Sequence, residues 1–560
     1  MKKQIRIIPL GGIRESGENL YAVDVNDGIY ILDCGLRYPN NEMLGIDLII
    51  PDFTYLERNR DRIVGVFLTQ SNAKALGGLP YFLSEFNVPV FGTKFTIAIA
   101  KHLVANYRKT RSFHQFNVIN ANSEIIFDKT TVTFFATTSS VPDSVGIVLN
   151  TKAGRIVYTG GFKFDQTVPK NYQSNLARFG QIGSQGVLAL LSDSEHTENY
   201  HENVDENRVA QYLQDLMTAS QSRIIVGCMA SNLLRLQQIF DAAKVANRKV
   251  YLAHRQLMPN LKIAIQTGQL RIPKHLLVNA RTLGQLKDSQ VVILQAGKMG
   301  APLKALQRMA GQQARHFNLK PNDLVIIATT PFHAMEVRVA ETKDSIYRAN
   351  GHVKMISDDL HVSNDASRND LQLLLNLMNP KYLIPVQGEY RMLMAHAHLA
   401  EQCNLPRRRI IVPDKGGVIT YNGSRMVKGP TVPSGDTIVD GSGVGDVGNI
   451  VLRDREVLSE QGIYVATVTI DPGHHRVVAE PKIDSRGFIY VRTNHDLIEK
   501  SAQIIKATVQ DDLDHGNADW SYLKQGIRDA LNSYLYKMTT HHPVIMPIIM
   551  ETGQKHHARN

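Results

Sequence analysis

The stretch Leu68-Thr69-Gln70-Ser71-Asn72-Ala73-Lys74-Ala75-Leu76-Gly77-Gly78 follows an apolar, β-rich run and precedes a Leu-Pro pair. This order predicts a strand, a tight turn and the start of a helix. The side chains of the turn are poor metal ligands. The amides of Gln70 and Asn72 bind zinc weakly, Ala75 has no donor atom, and the ammonium group of Lys74 repels cations. We therefore expect that this turn does not hold a pair of zinc ions.

Short segments with a distinctive order of residues recur along nearly the whole chain. Two examples are Ile7-Ile8-Pro9-Leu10-Gly11-Gly12 and Thr159-Gly160-Gly161-Phe162-Lys163-Phe164-Asp165. Others lie at residues 32–36, 42–47, 50–52, 141–144, 191–194, 361–363, 388–393, 447–455, 485–490 and 543–550. Together these segments resemble the bacterial ribonuclease J family. The resemblance implies a metallo-β-lactamase fold with an inserted β-CASP domain, and a family site that holds two zinc ions.

In that family the turn carries the sequence T-H-x-H-x-D-H, and further metal ligands follow later in the chain. The neighbouring residues set the register, so each ligand position can be identified here, and all of them differ from the family. These positions hold Gln70, Asn72, Lys74, Ala75, Ser139, Gly161 and Gln387. The outer carboxylate of the first motif, Asp33, remains. The chain is thus similar to the catalytically degenerate paralogue of the family, and we expect no catalytic residues, metal or other cofactor.

Neutral polar side chains are expected to fill the vacated pocket and to satisfy one another's hydrogen bonds, because buried polar groups need partners. They are those of Gln70, Asn72, Ser139 and Gln387. For Lys74 we predict a contact with Asp33, direct or through water. Its ammonium group would then replace the positive charge that zinc supplies in the family. The alternative is a solvated surface lysine.

The resemblance implies that residues 361–365 form the loop that holds the 5′ phosphate of RNA in the family. Here the loop reads His361-Val362-Ser363-Asn364-Asp365, with Asn-Asp in place of the family's Gly-His. Backbone N–H groups and the Ser363 hydroxyl suit an anion, whereas Asp365 repels one. We expect weakened phosphate binding. A loop that keeps its shape without a ligand is the alternative.

The composition is that of a globular protein with a basic surplus. The chain has 560 residues, 43% of them hydrophobic and 21% charged, a formal net charge of +11 and a pI of about 9.3. This surplus suits a polyanion such as RNA, although a basic protein without such a partner would look the same. The cysteines, Cys34, Cys228 and Cys403, show no metal or disulfide pattern. No apolar leader or membrane span is found in the sequence, so we expect a cytoplasmic protein.

Short β-rich runs dominate up to residue 197, and helical and strand-like segments alternate from about residue 203, which indicates a parallel βαβ module. With the resemblance, these patterns predict an α/β fold: a metallo-β-lactamase αββα sandwich, an inserted β-CASP domain and a small α+β C-terminal domain used for dimerisation. The predicted ranges are 1–202 and 368–428 for the sandwich, 203–367 for the β-CASP domain, 429–448 for a turn-rich linker and 449–560 for the last domain. Within the last domain we predict strands at 463–470, 488–492 and 544–550 and helices at 496–510 and 520–539.

Basic and aromatic residues occur together at residues 107–113, Tyr-Arg-Lys-Thr-Arg-Ser-Phe, a combination typical of single-strand binding. Residues 407–409 and 555–559 add further charge. A charge run is more often a solvated face, so each patch alone is weak support. Histidine pairs lie at 474–475, 541–542 and 556–557. They are not expected to share a metal, because adjacent side chains on a strand point to opposite faces.

The leading hypothesis is a ribonuclease J-type RNA-binding subunit with little or no nuclease activity of its own. The resemblance implies that it pairs with a catalytic ribonuclease J paralogue, and with other components of an RNA degradosome, in mRNA decay and rRNA processing. Alone it is expected to form a homodimer. One alternative is a weak endoribonuclease or 5′–3′ exoribonuclease that holds Mg²⁺ or Mn²⁺ through Asp33, Asp165, Asp193 or Asp365. Another is a protein-binding module.

Overall fold

The structure is a computed structural model and describes residues 4–25, 28–40, 43–199, 204–253, 258–298, 300–329, 335–360, 362–441, 443–445, 448–489 and 494–552. The chain forms two compact units, one of Met1–Tyr38 with Asp47–Thr437 and one of Pro39–Ile46 with Ile438–Asn560. Among the described helices, none combines the length and the apolar character needed to cross a membrane.

The first unit begins with short strands and helices. In chain order these are β1 (Ile5–Gly11), β2 (Leu20–Val25), β3 (Gly28–Leu32), β4 (Leu48–Pro51), α1 (Thr54–Glu57), β5 (Ile63–Phe67), α2 (Ala73–Leu76), α3 (Leu79–Glu85), β6 (Val90–Thr93), α4 (Lys94–Asn106), β7 (Phe116–Ile119), β8 (Glu124–Ile126), β9 (Thr131–Ala136), β10 (Val145–Thr151), β11 (Gly154–Tyr158), α5 (Leu176–Ser184) and β12 (Val187–Asp193). Strand β12 reads Val-Leu-Ala-Leu-Leu-Ser-Asp and is buried throughout. The continuous apolar run at residues 187–191 is typical of a strand that is covered on both faces.

The next segment alternates helices and strands. It contains α6 (Glu206–Ala219), β13 (Ile224–Met229), α7 (Leu233–Val245), β14 (Lys249–Leu252), α8 (Met258–Gln266), α9 (Ala280–Leu283), β15 (Val291–Gly297), α10 (Ala301–Ala310), β16 (Leu324–Ile327), α11 (Glu336–Arg348), β17 (His352–Met355) and α12 (Ile356–Asp359). Its strands form a parallel sheet in the order β14-β15-β13-β16-β17. The predicted βαβ module is confirmed.

The chain then returns to the sheets of the first segment. The returning elements are α13 (Arg368–Met378), β18 (Tyr382–Val386), α14 (Tyr390–Gln402), β19 (Gly417–Tyr421) and β20 (Met426–Thr431). Helix α13 begins with a capping box, in which the side chains of Ser367 and Asp370 each accept from the other's backbone N–H. Strand β18 pairs in parallel with β12, so the inserted module leaves and re-enters the fold between neighbouring strands.

Two sheets form the main core of the first unit. Their strand orders are β20-β19-β1-β2-β3-β5-β6-β7 and β18-β12-β11-β10-β9-β8. Buried side chains of both sheets, such as Val23 and Tyr30 from one and Phe134 and Ile147 from the other, belong to one apolar cluster. This face-to-face packing is that of a sandwich. The predicted fold class is confirmed.

The second unit contains a small α+β core. Its elements are β21 (Asp436–Asp440), which begins at the end of the first unit, β22 (Gly443–Val444), α15 (Asn449–Gln461), β23 (Ile463–Asp471), β24 (Arg476–Arg486), α16 (His495–Asp514), α17 (Trp520–Thr539) and β25 (Val544–Glu551). The sheet order is β24-β23-β25, with β25 parallel to β23. Ile505 and Ile527 of the two long helices pack with Tyr464 of β23 in one buried cluster.

One strand of this unit differs from the sequence prediction. Residues 488–489, part of the strand predicted at 488–492, are not in a strand, and residues 490–492 lie outside the described part. The strand that precedes them is β24. Strand β24 was not predicted from the sequence, because it is an edge strand with many charged, exposed positions rather than an apolar run.

The histidine pairs also differ from the expectation that they lie on strands. His474 and His475 are in the turn before β24, and His541 and His542 precede β25. The third pair, at 556–557, and the basic run at 555–559 lie outside the described residues.

The stretch interpreted as a linker, residues 429–448, contains regular structure. It includes the end of β20, which pairs with β19 in the large sheet, and both β21 and β22. The division of the chain into the predicted domain ranges remains a prediction.

Candidate functional site

The turn after β5 has the predicted strand-turn-helix form, but its polar residues have different roles. Asn72 is the N-cap of α2, and its Oδ1 accepts from the Ala75 backbone N–H at 3.0 Å. Such a cap satisfies one of the free donors at a helix start. Gln70 is buried instead. The prediction that both amides fill the pocket is therefore confirmed for Gln70 and wrong for Asn72.

Gln70 belongs to a buried network of neutral hydrogen bonds. Its Oε1 accepts from the Ser139 hydroxyl at 2.7 Å, and its Nε2 lies 3.5 Å from the Gly161 carbonyl oxygen. Gln387 Nε2 donates to the Tyr158 hydroxyl at 2.7 Å. These contacts satisfy buried polar groups without any cation.

The surroundings of Gly161 show that several of the positions that differ from the family lie close together in space. A Cβ atom at Gly161 would lie 3.1 Å from Gln70 Nε2, 3.6 Å from Gln387 Oε1 and 3.7 Å from Asp365 Oδ1. The first of these distances is tighter than an ordinary van der Waals contact, so the Gln70 amide already occupies the space beside Gly161. Side chains that are far apart in sequence thus share the pocket that the resemblance implied.

Asp33 lies at the edge of this network, fully buried and at a positive φ of 59°. Its carboxylate accepts from the Thr69 backbone N–H at 2.8 Å, from the Thr69 hydroxyl, and from the Tyr158 hydroxyl at 2.8 Å. Burial raises the pKa of Asp33 to about 7, although these hydrogen bonds oppose the shift. Because Tyr158 also accepts from Gln387, a chain of hydrogen bonds runs from Gln387 through Tyr158 to Asp33.

Lys74 does not contact Asp33 as predicted; its ammonium group pairs with Glu195. The other carboxylate oxygen of Glu195 accepts from the Ser16 hydroxyl. The Lys74 side chain is 31% exposed and that of Glu195 is 8% exposed, so the alternative of a freely solvated lysine is also wrong. Burial would lower the pKa of Lys74, but Glu195 and then Asp365 raise it above its ordinary value. The charge of Lys74 compensates a carboxylate, but not the one expected.

Two further acidic groups lie near this ion pair. Burial raises the pKa of Asp193 well above its usual range, and Asp365 and Glu195 add to the effect. Burial also raises the pKa of Asp365, again with a contribution from Glu195, whereas Lys74 opposes it. Within the described part of the chain, Asp193 Oδ2 is buried without a hydrogen-bond partner. The environment thus favours the protonated forms of Asp193 and Asp365.

Of the carboxylates considered for Mg²⁺ or Mn²⁺, Asp165 is engaged elsewhere. It accepts from the Thr167 backbone N–H and hydroxyl and from the Glu206 backbone N–H, and it lies 3.8 Å from Lys163 Nζ. Asp33 is likewise surrounded by donors. Asp193 and Asp365 remain near each other, with Glu195 as a third acid.

A different acidic cluster meets the distance requirement for sharing an ion. Among the described residues, Glu15, Glu18 and Asp436 are the one group of potential ligands whose atoms all lie within 4.8 Å. Lys415 Nζ lies 2.8 Å from Glu15, 3.5 Å from Glu18 and 2.6 Å from Asp436. Arg37 Nε adds a contact of 2.8 Å to Glu18. Two cations thus pair with three carboxyl groups, and burial, followed by Glu15, raises the pKa of Glu18 to about 8. We therefore interpret the cluster as an ion-pair network.

The loop implied to hold a 5′ phosphate is described from Val362 onwards; His361 lies outside the described residues. The Ser363 hydroxyl donates to the Asp365 carbonyl oxygen and accepts from the Asp365 backbone N–H, both at 2.9 Å. Lys163 Nζ donates to the Ser363 carbonyl oxygen at 3.2 Å. Because the hydroxyl and one N–H group are used within the loop, the contacts support a loop that keeps its shape without a ligand.

Its remaining members point to the same conclusion. Val362 is buried, and Asn364 Oδ1 accepts from Asn232 at 3.4 Å. An apolar side chain and an amide bonded to a neighbouring helix cap offer little to a phosphate. Weak phosphate binding at this loop stays a prediction.

Several residues of the site were missed by sequence reasoning. Tyr158 and Thr69 were not singled out, because a buried hydroxyl that bonds a distant carboxylate leaves no local pattern. Glu195 had a weak signal, since it lies two residues after Asp193 in the segment Leu-Ser-Asp-Ser-Glu. Its role depends on Lys74, which is 121 residues away in sequence.

Comparison with known proteins identifies the family of this chain. Residues 221–346 match the family described as "Ribonuclease J, beta-CASP domain", residues 450–552 the "Ribonuclease J C-terminal domain", and residues 351–409 the "Zn-dependent metallo-hydrolase RNA specificity domain". A protein named Ribonuclease J 2 from Streptococcus pyogenes serotype M3 is 42% identical over 98% of this chain and 99% of its own length. The chain belongs to the ribonuclease J family.

Further relatives agree with this assignment. Proteins named Ribonuclease J 2 from Staphylococcus epidermidis and Staphylococcus aureus are each 40% identical over 98% of this chain and 98% of their own lengths. The predicted similarity to the second ribonuclease J paralogue is therefore confirmed. A crystal structure of a protein of unknown function from Enterococcus faecalis V583 matches with a TM-score of 0.54 and 15% identity, covering 75% of this chain and all of that one. This last likeness concerns the fold alone.

The zinc-dependent description of one matched family does not fit the side chains at this ribonuclease J site. Zinc is held by thiolate, imidazole and carboxylate groups in protein sites. The family's ligand positions here carry an amide at Gln70 and Gln387, a hydroxyl at Ser139 and a hydrogen at Gly161. An ammonium group, that of Lys74, lies on the same turn. The side chains at these positions therefore do not fit a pair of zinc ions.

Proposed function

We propose that this ribonuclease J-type chain is an RNA-binding subunit that itself has little or no nuclease activity. It acts together with a catalytic ribonuclease J paralogue in mRNA decay and rRNA maturation, and with other components of an RNA degradosome. RNA is the partner that the matched RNA specificity domain and the basic surplus support. A cytoplasmic location, where this RNA is found, belongs to the same proposal.

The observation that carries the proposal is the neutral network around Gly161. A metal ion lowers the pKa of bound water from about 15.7 to about 7, which provides the hydroxide for hydrolysis. Gln70 and Gln387 stand beside Gly161, and Ser139 bonds Gln70. Amide and hydroxyl groups that bond one another neither hold zinc nor lower the pKa of water to this extent.

The test combines the chain with a catalytic paralogue. Degradation of 5′-monophosphorylated RNA is measured for the paralogue alone, for this chain alone and for the co-purified mixture. We expect no turnover by this chain alone, and a changed rate or cleavage pattern of the paralogue in the mixture. A paralogue whose degradation rate and cleavage pattern are the same with and without this chain would contradict the subunit role.

A salt series tests the RNA-binding part of the proposal separately. Phosphate contacts make affinity fall steeply with salt, so binding that is strong at low salt and weak at high salt is expected. A chain that binds the paralogue but has no affinity for RNA even at low salt would be a protein-binding module instead.

A weak metal-dependent nuclease is the second candidate, and the Asp193 carboxylate favours it. This group is buried, its Oδ2 lacks a hydrogen-bond partner among the described residues, and the carboxyl groups of Asp365 and Glu195 lie close enough to interact with it. Cleavage by highly purified protein in Mn²⁺, lost in both Asp193→Asn and Asp365→Asn, would establish this activity. Metal content by mass spectrometry gives the matching stoichiometry.

A further inference from the structure

The basic and aromatic segment around residues 107–113 lies apart from the degenerate pocket. Residues 86–123 contain no aspartate or glutamate, and their cations are Lys94, Lys101, Arg108, Lys109 and Arg111. An ordinary solvated surface mixes charges of both signs. The charged side chains of this run are therefore all positive.

The structure presents three of these cations on a short, anchored turn. Residues Arg108–Thr110 form a 3-10 helix, which Arg111 follows in helical conformation. Side chains three apart in such a helix lie on the same side, so Arg108 and Arg111 face the same way. The turn is held from beneath by Thr110, whose buried hydroxyl donates to the Val104 carbonyl oxygen at 2.8 Å.

Arg108, Lys109 and Arg111 all lie on the surface. Within the described part of the chain, the ion pairs include no carboxylate partner for any of the three. Other surface cations of the first unit do have such partners, for example Lys320 with Asp288 at 2.9 Å. The charge of the three cations is therefore available to an external anion.

Two half-buried aromatic rings follow the three cations along the chain, and the second of them lies beside Lys101. Phe113 and Phe116 are in edge contact with centroids 5.0 Å apart, and Lys101 Nζ lies 5.7 Å from the Phe116 ring centre. Basic groups that follow a backbone, with aromatic faces between them, are the usual features of single-strand binding. We call this surface the α4–β7 patch, and it consists of Lys101, Arg108, Lys109, Arg111, Phe113 and Phe116.

The α4–β7 patch and the degenerate pocket lie towards opposite ends of the strands of the large sheet. Strands β5, β6 and β7 are parallel, and the turn with Gln70 follows the carboxyl end of β5. The patch lies at the start of β7, which begins with Phe116. Next to it, the Gln115 carbonyl oxygen accepts from the Val90 backbone N–H of β6, and the Gln115 side chain donates to Asn87. Helix α4, of 13 residues, spans about 20 Å between the two ends.

We propose that the α4–β7 patch is an RNA-anchoring surface, separate from the pocket, that binds the phosphate backbone of single-stranded RNA without sequence preference. The inference rests on the proposed RNA-binding function and adds the place where RNA is held. An acidic protein would also suit the charge, but the aromatic rings beside the cations favour nucleic acid.

The test compares two triple variants that lose the same charge. R108Q/K109Q/R111Q removes the three cations of the turn. The control, K320Q/K343Q/R348Q, removes three surface cations that are already paired with Asp288, Asp358 and Asp344. Binding of a fluorescein-labelled oligouridylate is followed by fluorescence anisotropy over a salt series, with circular dichroism as the check on folding.

We expect the affinity of the patch variant for RNA at low salt to be lower than that of wild type by about 10-fold or more. The slope of log K against log salt should become less steep by about 2, because each of the three lost phosphate contacts contributes about 0.7 to its magnitude. The control should keep the wild-type slope.

If wild type binds RNA and the patch variant behaves like the control, the assignment of the α4–β7 patch as the RNA-anchoring surface is wrong, whereas the proposed RNA-binding function stands. Wild type without RNA affinity would overturn both. A patch variant that loses binding to polyglutamate but not to RNA would indicate an acidic protein partner and overturn the RNA assignment.

Discussion

Asp33 is a buried carboxylate that is surrounded by hydrogen-bond donors rather than by cations. Thr69 and Tyr158 donate to it, and burial still raises its pKa to about 7. In the unfolded chain the same group has its ordinary pKa of 3.8. A carboxyl group whose pKa is raised by folding stabilises the fold most when it is protonated.

The shifted pKa of Asp33 predicts a specific pH dependence. The contribution of Asp33 to the free energy of unfolding should be complete below its ordinary pKa and be lost as the pH rises to about 7, a change on the order of 4 kcal/mol. Urea denaturation of wild type and Asp33→Asn at several pH values measures it. The stability of wild type relative to the variant should decline up to about pH 7 and then stay constant.

The control for Asp33 is Glu124→Gln, on the exposed strand β8. Its difference from wild type should not follow the same curve. A difference between wild type and Asp33→Asn that is independent of pH would show that Asp33 is not held in a protonation-sensitive environment.

The Lys74–Glu195 pair predicts a coupling between two residues beside the degenerate pocket. Lys74→Met leaves Glu195 near Asp193 and Asp365 without its main positive partner. We expect a loss of about 1–3 kcal/mol in stability, reduced from the value for a fully buried pair because Lys74 is partly exposed. The double variant K74M/E195Q should recover part of this loss. Thermal unfolding of the single and double variants gives the coupling energy, and additive effects would contradict the pair.

Among the elements of the fold, helix α6 is tied to the sandwich by buried charges. Lys163 Nζ lies 2.8 Å from Glu206 Oε1, and Arg235 Nη2 of α7 lies 3.3 Å from Glu206 Oε2, with every side chain at most 5% exposed. Gln238 Nε2 also donates to Glu206 at 3.0 Å. The inserted segment therefore begins with a charge network rather than with apolar packing alone.

Glu206→Gln should destabilise the chain, because it leaves Lys163 and Arg235 buried without their carboxylate. The expected loss is about 3–5 kcal/mol at neutral pH. Burial would raise the pKa of Glu206, but Arg235 and Lys163 outweigh it and lower the pKa to about 2. The stability that Glu206 adds is thus present above its ordinary pKa of 4.5 and lost as the pH falls to about 2.

Hydrogen exchange of α6 and α7, together with urea denaturation at neutral and acidic pH, measures the effect of Glu206→Gln. The gap between wild type and variant should narrow at the lower pH. Glu124→Gln again serves as the exposed control. A variant as stable as wild type at neutral pH would show that the network does not hold the insertion.

For assembly of the whole molecule, the C-terminal unit offers an apolar surface. One face of its sheet packs on α16 and α17, whereas the alternating residues Met546, Ile548 and Met550 of β25 are 47%, 43% and 48% exposed. Exposed apolar patches of this kind often mark protein contacts. The homodimer expected from the sequence, or the proposed pairing with the catalytic paralogue, would cover them.

M546E/I548E is expected to abolish this pairing without unfolding the unit, since both side chains point away from its core. Size-exclusion chromatography and co-purification with the paralogue measure the outcome. The control S521E/S533E adds the same charge at exposed positions of α17 and should assemble normally. Unchanged assembly of M546E/I548E would place the interface elsewhere.

The sequence alone predicted the family and the fold class, which are confirmed, because these depend on residue types at positions that neighbouring segments mark. The replacement of the zinc ligands, predicted in the same way, stays a prediction. The sequence also predicted the buried network around Gln70 in outline. It did not identify Glu195 as the partner of Lys74 or Tyr158 as the partner of Asp33. These pairs join residues 121 and 125 positions apart, and no local pattern connects them.

The tertiary structure decided which groups fill the pocket. Asn72 caps α2 instead of entering it, because the free N–H groups at a helix start need an acceptor close in sequence. Lys74 pairs with Glu195, because Asp33 already has the donors of Thr69 and Tyr158, whereas the largely buried Glu195 carboxylate needs a positive partner. The identities of the residues predict that the pocket does not hold zinc, whereas the packing of the two sheets determines which hydrogen bonds and which ion pair form there.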